Sequence, residues 1–426
     1  MPGQSKAVKK YLAHYAEPEA TAALDNITWP KAYRHCLLIP AFKESAALID
    51  HLIATGESCP ELLVILIVNR PDNYQHTTCN QQLIERIFQL NRRERPSSVV
   101  PDNQLQLFAL SPTSDLLYID RGHNHLPIPY KQGVGLARKI AADIAAALIT
   151  QGIINNQWIH STDADTLIPK DYFSNTAKID ARHYAAVVHP FKHVSANTEA
   201  ISPAMKVYEQ RLHHYVEGLR RAGSAYAYHT LGSCISTSFI HYCQVRGYPK
   251  RSGAEDFYLL NKLRKSGEIF QHQMHEMKII SRVSDRVPFG TGPAVKNLSD
   301  SADPQREEIF YHPKCFDTLS LWLQMAPRLW NSGIPDSEQS LTEALARYDQ
   351  HKAAVEVYAV LAAGLYTIGF EQGITHCQTQ SKSSATFERH FLDWFDAFKT
   401  LKLIHYLRDH AFPNLSATSL QEVSKQ

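Results

Sequence analysis

Cysteine is scarce in this sequence, and the few cysteines are scattered. Seven occur among 426 residues, at positions 36, 59, 79, 234, 243, 315 and 377, and no two of them are spaced as C-x-x-C. An odd number without such pairs argues against a disulfide framework and against a zinc ribbon. We therefore expect reduced cysteines, most of them packed in the interior.

The sequence also lacks a long hydrophobic run. Its longest purely aliphatic stretch, LLVILIV at 62–68, is far shorter than the roughly 20 residues that cross a bilayer. The first residues, MPGQSKAVKKYLAHYAEPEA, contain adjacent lysines but no apolar segment of the secretory type. We expect a soluble protein with no transmembrane segment and a cytoplasmic location.

An excess of charge of one sign is absent as well. Lysine and arginine number 44 and aspartate and glutamate 42, so the formal net charge is only +2. Such a balance gives no field that would favour nucleic acid or an anionic membrane as a partner, and we expect no nucleic acid partner. With 44% hydrophobic and 20% charged residues, the composition is that of a soluble globular protein.

Periodicity in the first part of the chain predicts strands that alternate with helices. Strands are expected at 35–40, 61–69, 104–110 and 157–165, and helices at 44–55, 80–92 and 134–150. The stretch 111–132 is expected to be irregular. Strands joined by helical crossovers predict an α/β fold with a mainly parallel, Rossmann-like sheet flanked by helices. Ligands bind such sheets beyond the carboxyl ends of the strands.

The pattern changes toward the carboxyl terminus. Further strands are expected at 184–193, 233–240 and 278–283, and helices at 202–223 and 255–267. After about residue 303, apolar residues recur at helical spacing. We divide the chain into an N-terminal helical extension (1–32), an α/β domain (33–302) and a helical C-terminal region with a polar tail (303–426).

The stretch IHSTDADTLIP places two aspartates at the end of a predicted strand. Asp163 and Asp165 are two residues apart, and residues i and i+2 of a strand point to the same face. Two carboxylates at one strand end suit Mg²⁺ or Mn²⁺, which prefer oxygen ligands and share substrate phosphates. Aspartate is also common in turns, so the pair alone does not decide between a metal site and a turn.

Three further motifs accompany the pair in order along the chain. IPAFKES follows the first strand, GVGLARKIAADIAAALI precedes WIHSTDAD, and GSCISTSFIHYCQVRGYPKRSGAEDFYLLNKLRKSG comes after it. Together they resemble a family 2-type glycosyltransferase with the GT-A fold, over roughly residues 33–292. The resemblance implies transfer of a sugar from a nucleotide-diphosphate sugar to a hydroxyl acceptor, with a divalent metal as cofactor.

The resemblance also implies roles for individual residues on the donor side. The segment after the first strand lines the nucleotide pocket in this family, and its matching positions are Pro40, Ala41, Phe42 and Glu44. The helix near Gly135 carries a basic residue toward the nucleotide, which is Arg138 in this sequence. The family commonly has an aspartate after the second strand that reads the base; this chain has Asn69, whose amide can also hydrogen-bond a base edge.

Metal and catalytic residues follow from the same resemblance. In this family the two aspartates of the triplet Asp163-Ala164-Asp165 bind ribose and metal, with Asp165 the more direct metal ligand and Asp163 the ribose contact. The Glu-Asp pair on the later helix supplies the catalytic base, which falls on Asp256. Acidic residues also favour the first turn of a helix, so Glu255 and Asp256 have a structural reading too.

Two glycine-containing segments allow more than one interpretation. GVGLAR lacks the third glycine of a dinucleotide fingerprint, so a glycine turn whose helix start and Arg138 face an anion fits better. In GT-A enzymes a loop at the place of SDRVPFGTGP, residues 284–293, often folds over the diphosphate and sometimes supplies another metal ligand. The resemblance therefore implies one of these roles for Asp285 or Arg286, and an ordinary glycine-rich loop is the alternative. The many histidines, among them His272 and His275, are expected at the surface.

The resemblance implies a metal-dependent glycosyltransferase. Members of family 2 mostly invert the anomeric centre by direct displacement, which fits an aspartate base at Asp256. Related GT-A enzymes that retain configuration share the same pair of aspartates, so the stereochemical outcome stays open. One alternative is a nucleotidyltransferase on a similar sheet, although that class wants a glycine-rich basic loop after the first strand. The other is a non-catalytic protein that binds nucleotide sugars. The sugar, the base, the acceptor and the oligomeric state stay open.

Overall fold

The computed structural model describes residues 6–92, 105–122, 126–195, 201–273, 275–281 and 291–423. The chain forms two compact units. The first, called the sheet unit, takes the described residues of Met1–Ile201 and Thr230–Ala294. The second, called the helical unit, takes those of Ser202–His229 and Val295–Gln426.

The elements follow one another along the chain in the order of their numbers. The strands are β1 (His35–Ala41), β2 (Leu62–Asn69), β3 (Leu105–Ala109), β4 (Asp115–Arg121), β5 (Trp158–Ser161), β6 (Thr166–Leu167), β7 (Tyr184–Val188), β8 (Phe191–Val194), β9 (Ile235–Ser238), β10 (Glu268–Gln271) and β11 (Met277–Ile280). The helices are α1 (Lys6–His14), α2 (Pro18–Asp25), α3 (Ala47–Ser58), α4 (Gln81–Phe88), α5 (Gly133–Thr150), α6 (Tyr172–Thr176), α7 (Pro203–Arg221), α8 (Phe239–Gln244), α9 (Glu255–Arg264), α10 (Thr291–Ser299), α11 (Pro313–Met325), α12 (Leu329–Ser332), α13 (Glu338–Asp349), α14 (Val355–Thr367), α15 (Phe370–Thr379), α16 (Ser384–Trp394), α17 (Ala397–His410) and α18 (Ala417–Val423).

The described residues of the sheet unit form a mixed, mostly parallel sheet of eight strands. Their order is β10-β7-β9-β5-β1-β2-β4-β3. The pairs of β1 with β2, β1 with β5, β2 with β4 and β7 with β10 are parallel, whereas β3 and β9 run antiparallel to their neighbours. The predicted α/β class, the flanking helices and the mainly parallel sheet are confirmed.

Burial explains why the central elements form where they do. Every residue of β2, LLVILIVN, is buried, as expected for a strand covered on both faces of a parallel sheet. Helix α5 is buried from residue 135 to residue 149. A helix buried on all sides must be covered all round, and its charged residues Arg138, Lys139 and Asp143 are buried together with its many alanines. It packs on β1 and β2, and α2 contacts it as well.

A second, smaller sheet begins with β6, directly after the segment Asp163-Ala164-Asp165. Its order is β6-β11-β8, with β6 antiparallel and β8 parallel to β11. The Asp165 carbonyl accepts a hydrogen bond from the Ile280 amide at 2.8 Å. The segment after β5 is therefore held on one side by the main sheet and on the other by this small one.

Two local predictions are wrong. Residues 115–121, expected to be irregular, form β4, because their short apolar run is paired with β2 on one side and β3 on the other. The single strand expected at 184–193 is two strands in different sheets. The break falls at His189 and Pro190, since proline cannot donate a ladder hydrogen bond.

A polar cluster lies buried between β5, β9 and α6. Ser236 Oγ lies 2.8 Å from His160 Nδ1, 2.9 Å from His189 Nε2 and 3.1 Å from the Tyr172 hydroxyl. Burial lowers the pKa of His160, and it lowers the pKa of His189 to about 3 and that of His35 to about 4. The expectation of surface histidines is therefore wrong for these three, which are neutral core residues.

The helical unit has its own aromatic core. The Trp322 ring is fully buried, with its centroid 5.8 Å from that of Phe370 and 5.6 Å from that of Phe391. Leu219 and Ala222, at the end of α7, belong to the same core.

No single helix of the described residues has both the length and the composition to cross a bilayer. Helices α14 and α15 meet both conditions only as a pair, and that pair is bent by 70°.

The cysteines are free, as expected. Five of the seven are buried, and Cys59 and Cys79 are partly buried. Burial raises the pKa of the Cys36 thiol to about 12, so this group stays protonated at neutral pH. The prediction of reduced, mostly packed cysteines is confirmed.

Candidate functional site

The central strand β1 marks the place where the strand order of the sheet reverses. The chain adds β2 on one side of β1 and later adds β5 on its other side. Ser161 of β5 pairs with Leu38 of β1, and the Thr162 amide donates to the Leu38 carbonyl at 3.0 Å. In open α/β sheets, ligands bind at the carboxyl ends of the strands at such a reversal. Residues 42–44 and 163–165 leave the sheet at this place.

Arg138 of α5 is buried near this edge, with 3% of its surface exposed. Its Nη2 donates to Asp163 Oδ1 at 2.5 Å and its Nε donates to Glu255 Oε1 at 2.9 Å. Its Nη1 donates to Ser161 Oγ at 2.6 Å and to the Gly232 carbonyl at 3.2 Å. One guanidinium therefore joins the end of β5, the turn before β9 and the start of α9.

Gly232 lies between Arg138 and Asp256. Its carbonyl accepts from Arg138, and its amide donates to Asp256 Oδ2 at 2.8 Å. A Cβ at this position would lie 2.7 Å from Arg138 Nη2 and 2.9 Å from Arg138 Cζ. A Cβ here would push the guanidinium out of its position, so glycine lets the peptide link the arginine to the second acidic residue of α9.

Asp256 has a carboxyl group that is poised to titrate near neutral pH. Burial, and then the charge of Glu255, raise its pKa to about 7, while Arg138 lowers it. Its Oδ1 also accepts a hydrogen bond from the Phe257 amide at 2.7 Å. Burial raises the pKa of Glu255 as well, and the ion pair with Arg138 opposes that rise. A carboxylate with a pKa near the working pH is suited to take a proton from a hydroxyl group.

The backbone before this acidic pair is constrained. Ala254 has φ 56°, in the left-handed region that residues with a Cβ rarely adopt. The preceding loop, residues 249–252, packs against the start of α5, where the Gly135 amide donates to the Arg251 carbonyl at 2.9 Å. A Cβ on Gly135 would lie 2.4 Å from the Pro249 carbonyl oxygen. Gly135 of the GVGLAR motif therefore makes room for this loop. The anions that Arg138 faces in this structure are the carboxylates of Asp163 and Glu255.

Asp163 and Asp165 follow β5 directly. The Asp163 side chain is 40% exposed and paired with Arg138, and Asp165 is partly buried. Burial, followed by the charges of Asp163 and Asp165, raises the pKa of the Cys234 thiol to about 12, so both carboxylates lie within electrostatic range of that group.

The described residues contain no group of three or more His, Cys, Asp or Glu side chains placed to hold a metal ion. Two carboxylates at a strand end nevertheless fit Mg²⁺ or Mn²⁺, because these ions often take one or two carboxylates together with substrate phosphates and water. Asp163 and Asp165 thus fit a metal that arrives with a phosphorylated ligand, and not a metal held by protein side chains alone.

On the other side of β1, Asn80 ties two loops together. Its Oδ1 accepts from the Lys43 amide at 2.8 Å, and its Nδ2 donates to the Asn69 carbonyl at 3.0 Å. Asn69 is 6% exposed, and its Oδ1 is buried without a hydrogen-bond partner. Leaving such an atom unpaired costs about 1–3 kcal/mol, which a donor group on a ligand would recover.

Aromatic side chains flank this point. The Phe42 and Tyr74 rings meet edge to face with centroids 5.3 Å apart, and Lys43 Nζ lies 4.5 Å from the centre of the Tyr74 ring. Both rings are only partly buried. A flat ligand could pack on them beside the Asn69 amide.

The structure brings some of the predicted site residues together. Asp163, Arg138 and Asp256 are joined through direct bonds and through Gly232, and Asn80 joins the loop that contains Phe42 to Asn69. Ala41 is the buried last residue of β1, with Pro40 before it and Glu44 after it, both partly buried. Asp285 and Arg286 lie outside the described residues. The functional roles predicted for all these residues stay predictions.

Sequence reasoning missed Ser161, Gly232 and Asn80. Ser161 had a signal, because it is two residues before Asp163 and so shares its face of the strand. Gly232 opens the motif GSCISTSFI, but nothing local in that motif indicates a contact with Arg138, which lies 94 residues away. Asn80 had no such signal, since its partner Lys43 lies 37 residues away.

Comparison with protein-family models matches no family, and comparison with curated proteins gives no significant match. The chain is thus an α/β protein with a mixed eight-stranded sheet in its described residues and a helical C-terminal region, and no family is identified.

Proposed function

We propose that this protein is a metal-dependent glycosyltransferase that moves a sugar from a nucleotide-diphosphate sugar to a hydroxyl acceptor. One observation carries the proposal: the buried Arg138 links a strand-end carboxylate, Asp163, to the acidic pair that begins α9. This linkage lies where the strand order reverses, which is where α/β sheets bind ligands. The order of the motifs that resemble family 2-type enzymes with a GT-A fold supports the same function.

The donor would occupy the carboxyl ends of β1, β2 and β5. Its base would pack beside Phe42 and give a hydrogen-bond donor to the unpaired Asn69 Oδ1. Asp163 and Asp165 would hold Mg²⁺ or Mn²⁺ at the diphosphate. The metal ion would supply Lewis-acid stabilisation of the charge on the leaving diphosphate.

Asp256 would be the base. As the acceptor oxygen forms its bond to the anomeric carbon, the bond from that carbon to the diphosphate breaks, and the acceptor proton passes to Asp256. A pKa of about 7 lets the carboxylate be ionised at neutral pH and still take up a proton. A base of this kind contributes roughly 10²–10⁴-fold to the rate. Direct displacement of this type inverts the anomeric centre.

A panel of donors tests the proposal. With Mn²⁺ present, we expect at least one of the UDP-, GDP- and ADP-sugars to raise the melting temperature and to be hydrolysed slowly without acceptor. Asp165→Ala should abolish both responses. Asp50→Asn, a change at an exposed carboxylate that pairs with Arg86 on the surface, serves as the control and should keep them.

The outcomes also separate the alternatives. Stabilisation without hydrolysis or transfer would indicate a binding protein, and release of diphosphate from a nucleoside triphosphate would indicate a nucleotidyltransferase. The loop after β1, with no glycine and a single lysine, speaks against the latter. No response to any nucleotide sugar would contradict the transferase function. The cytoplasmic location and the absence of a nucleic acid partner stay predictions.

A further inference from the structure

The first two helices belong to the sheet unit and lie against α5. We call residues 6–25 the N-terminal segment. Helix α2 contacts α5, and α1 contacts α8. Helix α5 carries Arg138, so the segment covers the element that positions the buried guanidinium of the site.

A buried carboxylate on α5 accepts hydrogen bonds from the N-terminal segment. Asp143 is fully buried, and it accepts hydrogen bonds from the Tyr11 hydroxyl, from the Tyr242 hydroxyl at 2.7 Å and from the Glu17 amide at 2.8 Å. Lys139, one turn earlier on α5, donates to Asp143 at 2.9 Å and to the Tyr11 hydroxyl at 2.7 Å. A buried network of this kind is stable only in one arrangement, so it fixes the position of the segment on α5.

The Glu17 side chain reaches a second element of the site. Its Oε1 lies 2.7 Å from Lys250 Nζ and 4.0 Å from Lys139 Nζ. Lys250 belongs to the loop 249–252, which packs on the start of α5 and runs into Asp256. Lys139 is the neighbour of Arg138. Glu17 therefore bridges the two chain segments whose ends form the Arg138 and Glu255 ion pair.

We propose that Glu17 is a positioning residue for the site, and this proposal rests on the proposed transferase function. By holding Lys250 beside Lys139, Glu17 keeps the loop against α5, which keeps Glu255 and Asp256 in place relative to Arg138. Glu17 has no part in the donor pocket described above. Its loss should therefore disturb the geometry of the acidic pair more than the binding of the donor.

Glu17→Gln tests this with donor hydrolysis in the presence of Mn²⁺. We expect kcat to fall about tenfold, because small displacements of catalytic groups have large effects on rate, while KM for the donor changes less than about twofold. The matched control is Lys31→Gln, which breaks another N-terminal ion pair, that with Asp115 at 3.0 Å, at the amino end of β4. This variant should lose stability and keep kcat. An equal loss of kcat in both variants, or no loss in either, would overturn the proposal.

Hydrogen exchange of the ligand-free protein gives a readout that needs no reaction. Glu17→Gln should increase exchange in residues 133–138 and 249–256, whereas Lys31→Gln should not. Unchanged exchange at both places would overturn the positioning role even in an active enzyme. Increased exchange in a protein that uses no nucleotide sugar would uphold the positioning role and count against the transferase function alone.

Discussion

At the scale of single residues, the chemistry of arginine explains why the site is connected as it is. The Arg138 guanidinium offers several donors in a fixed plane, and four hydrogen bonds run from it to groups on three elements. Lysine, with one compact charge, could not hold Asp163 and Glu255 together in this way. The buried guanidinium also compensates the charge of carboxylates that would otherwise be costly to bury.

The pH dependence of the reaction follows from Glu255 and Asp256. Activity needs ionised Asp256, so kcat/KM should rise with pH through the pKa of about 7. The Glu255 charge raises that pKa, so Glu255→Gln should move the rising limb to lower pH. A pH–rate profile on the best donor measures the position of this limb in the unmodified protein and in Glu255→Gln.

Asp256→Asn, which keeps the shape of the side chain, should reduce kcat by roughly 10²–10⁴-fold and spare donor binding.

An unchanged profile in Glu255→Gln would show that the limb belongs to another group. Normal turnover by Asp256→Asn would show that Asp256 is not the base.

The two carboxylates at the strand end and Asp256 were predictable as site candidates, since acidic pairs stand out in the sequence. The hydrogen bond between Arg138 and Glu255 was not predictable, because 117 residues separate the two and no local pattern relates them.

At the scale of elements, α5 shows how glycine can serve packing in a helix. Alanine is usually more stable than glycine within a helix, by up to about 1 kcal/mol. At Gly135, however, a Cβ would lie 2.4 Å from the Pro249 carbonyl oxygen and 2.7 Å from the Arg251 amide nitrogen. These are backbone atoms, which cannot rotate away.

Gly135→Ala should therefore destabilise the protein by about 1–3 kcal/mol, against the usual propensity of alanine. Urea unfolding measures the change. Gly56→Ala in α3 is the comparison, because its Cβ would lie 3.2 Å from the side-chain atoms of Leu110 and Ser114, and it should have the smaller effect. A stabilising Gly135→Ala would show that the loop 249–252 can move away from α5 at little cost.

Most elements were predictable from periodicity, and the exceptions have a common cause. The apolar run of β4 is too short to stand out, and neighbouring strands on both sides stabilise it. The edge strand β10 is partly exposed and lacks a buried stripe, so its sequence has no strand pattern. In both cases pairing with another strand, and not the local sequence, makes the segment a strand.

At the scale of the molecule, buried titratable groups decide how stability responds to pH. His35, His160 and His189 have pKa values lowered by burial, to about 4 for His35 and about 3 for His189. The folded state thus binds fewer protons than the unfolded state below the unfolded histidine pKa of about 6.5. Their stabilisation is complete above that pH and is lost as the pH falls.

The contribution of these three histidines to the stability of the sheet unit should therefore fall between about pH 6.5 and pH 4, by an amount on the order of a few kcal/mol. Burial raises the pKa of Glu19, Asp143 and Glu255, and these carboxyl groups act in the opposite direction. Asp256 also acts in the direction opposite to the histidines, because its raised pKa removes stability as the pH rises from about 4 through 7. Thermal melts across this range measure the sum. His189→Gln should reduce the loss of stability as the pH falls from about 6.5 to about 4. The same loss in this variant as in the unmodified protein would contradict the role of His189.

The sequence by itself determined the α/β class, the mainly parallel sheet, the helical C-terminal region and the free cysteines, because each follows from local periodicity, composition or spacing. It also singled out Asp163, Asp165 and Asp256 as candidates, since acidic residues at strand and helix ends are visible locally. Only the tertiary structure decided what these carboxylates contact, how β1 lies among its neighbours and how the N-terminal helices cover α5. Those features depend on contacts between residues far apart in the chain, where burial and pairing set the energies.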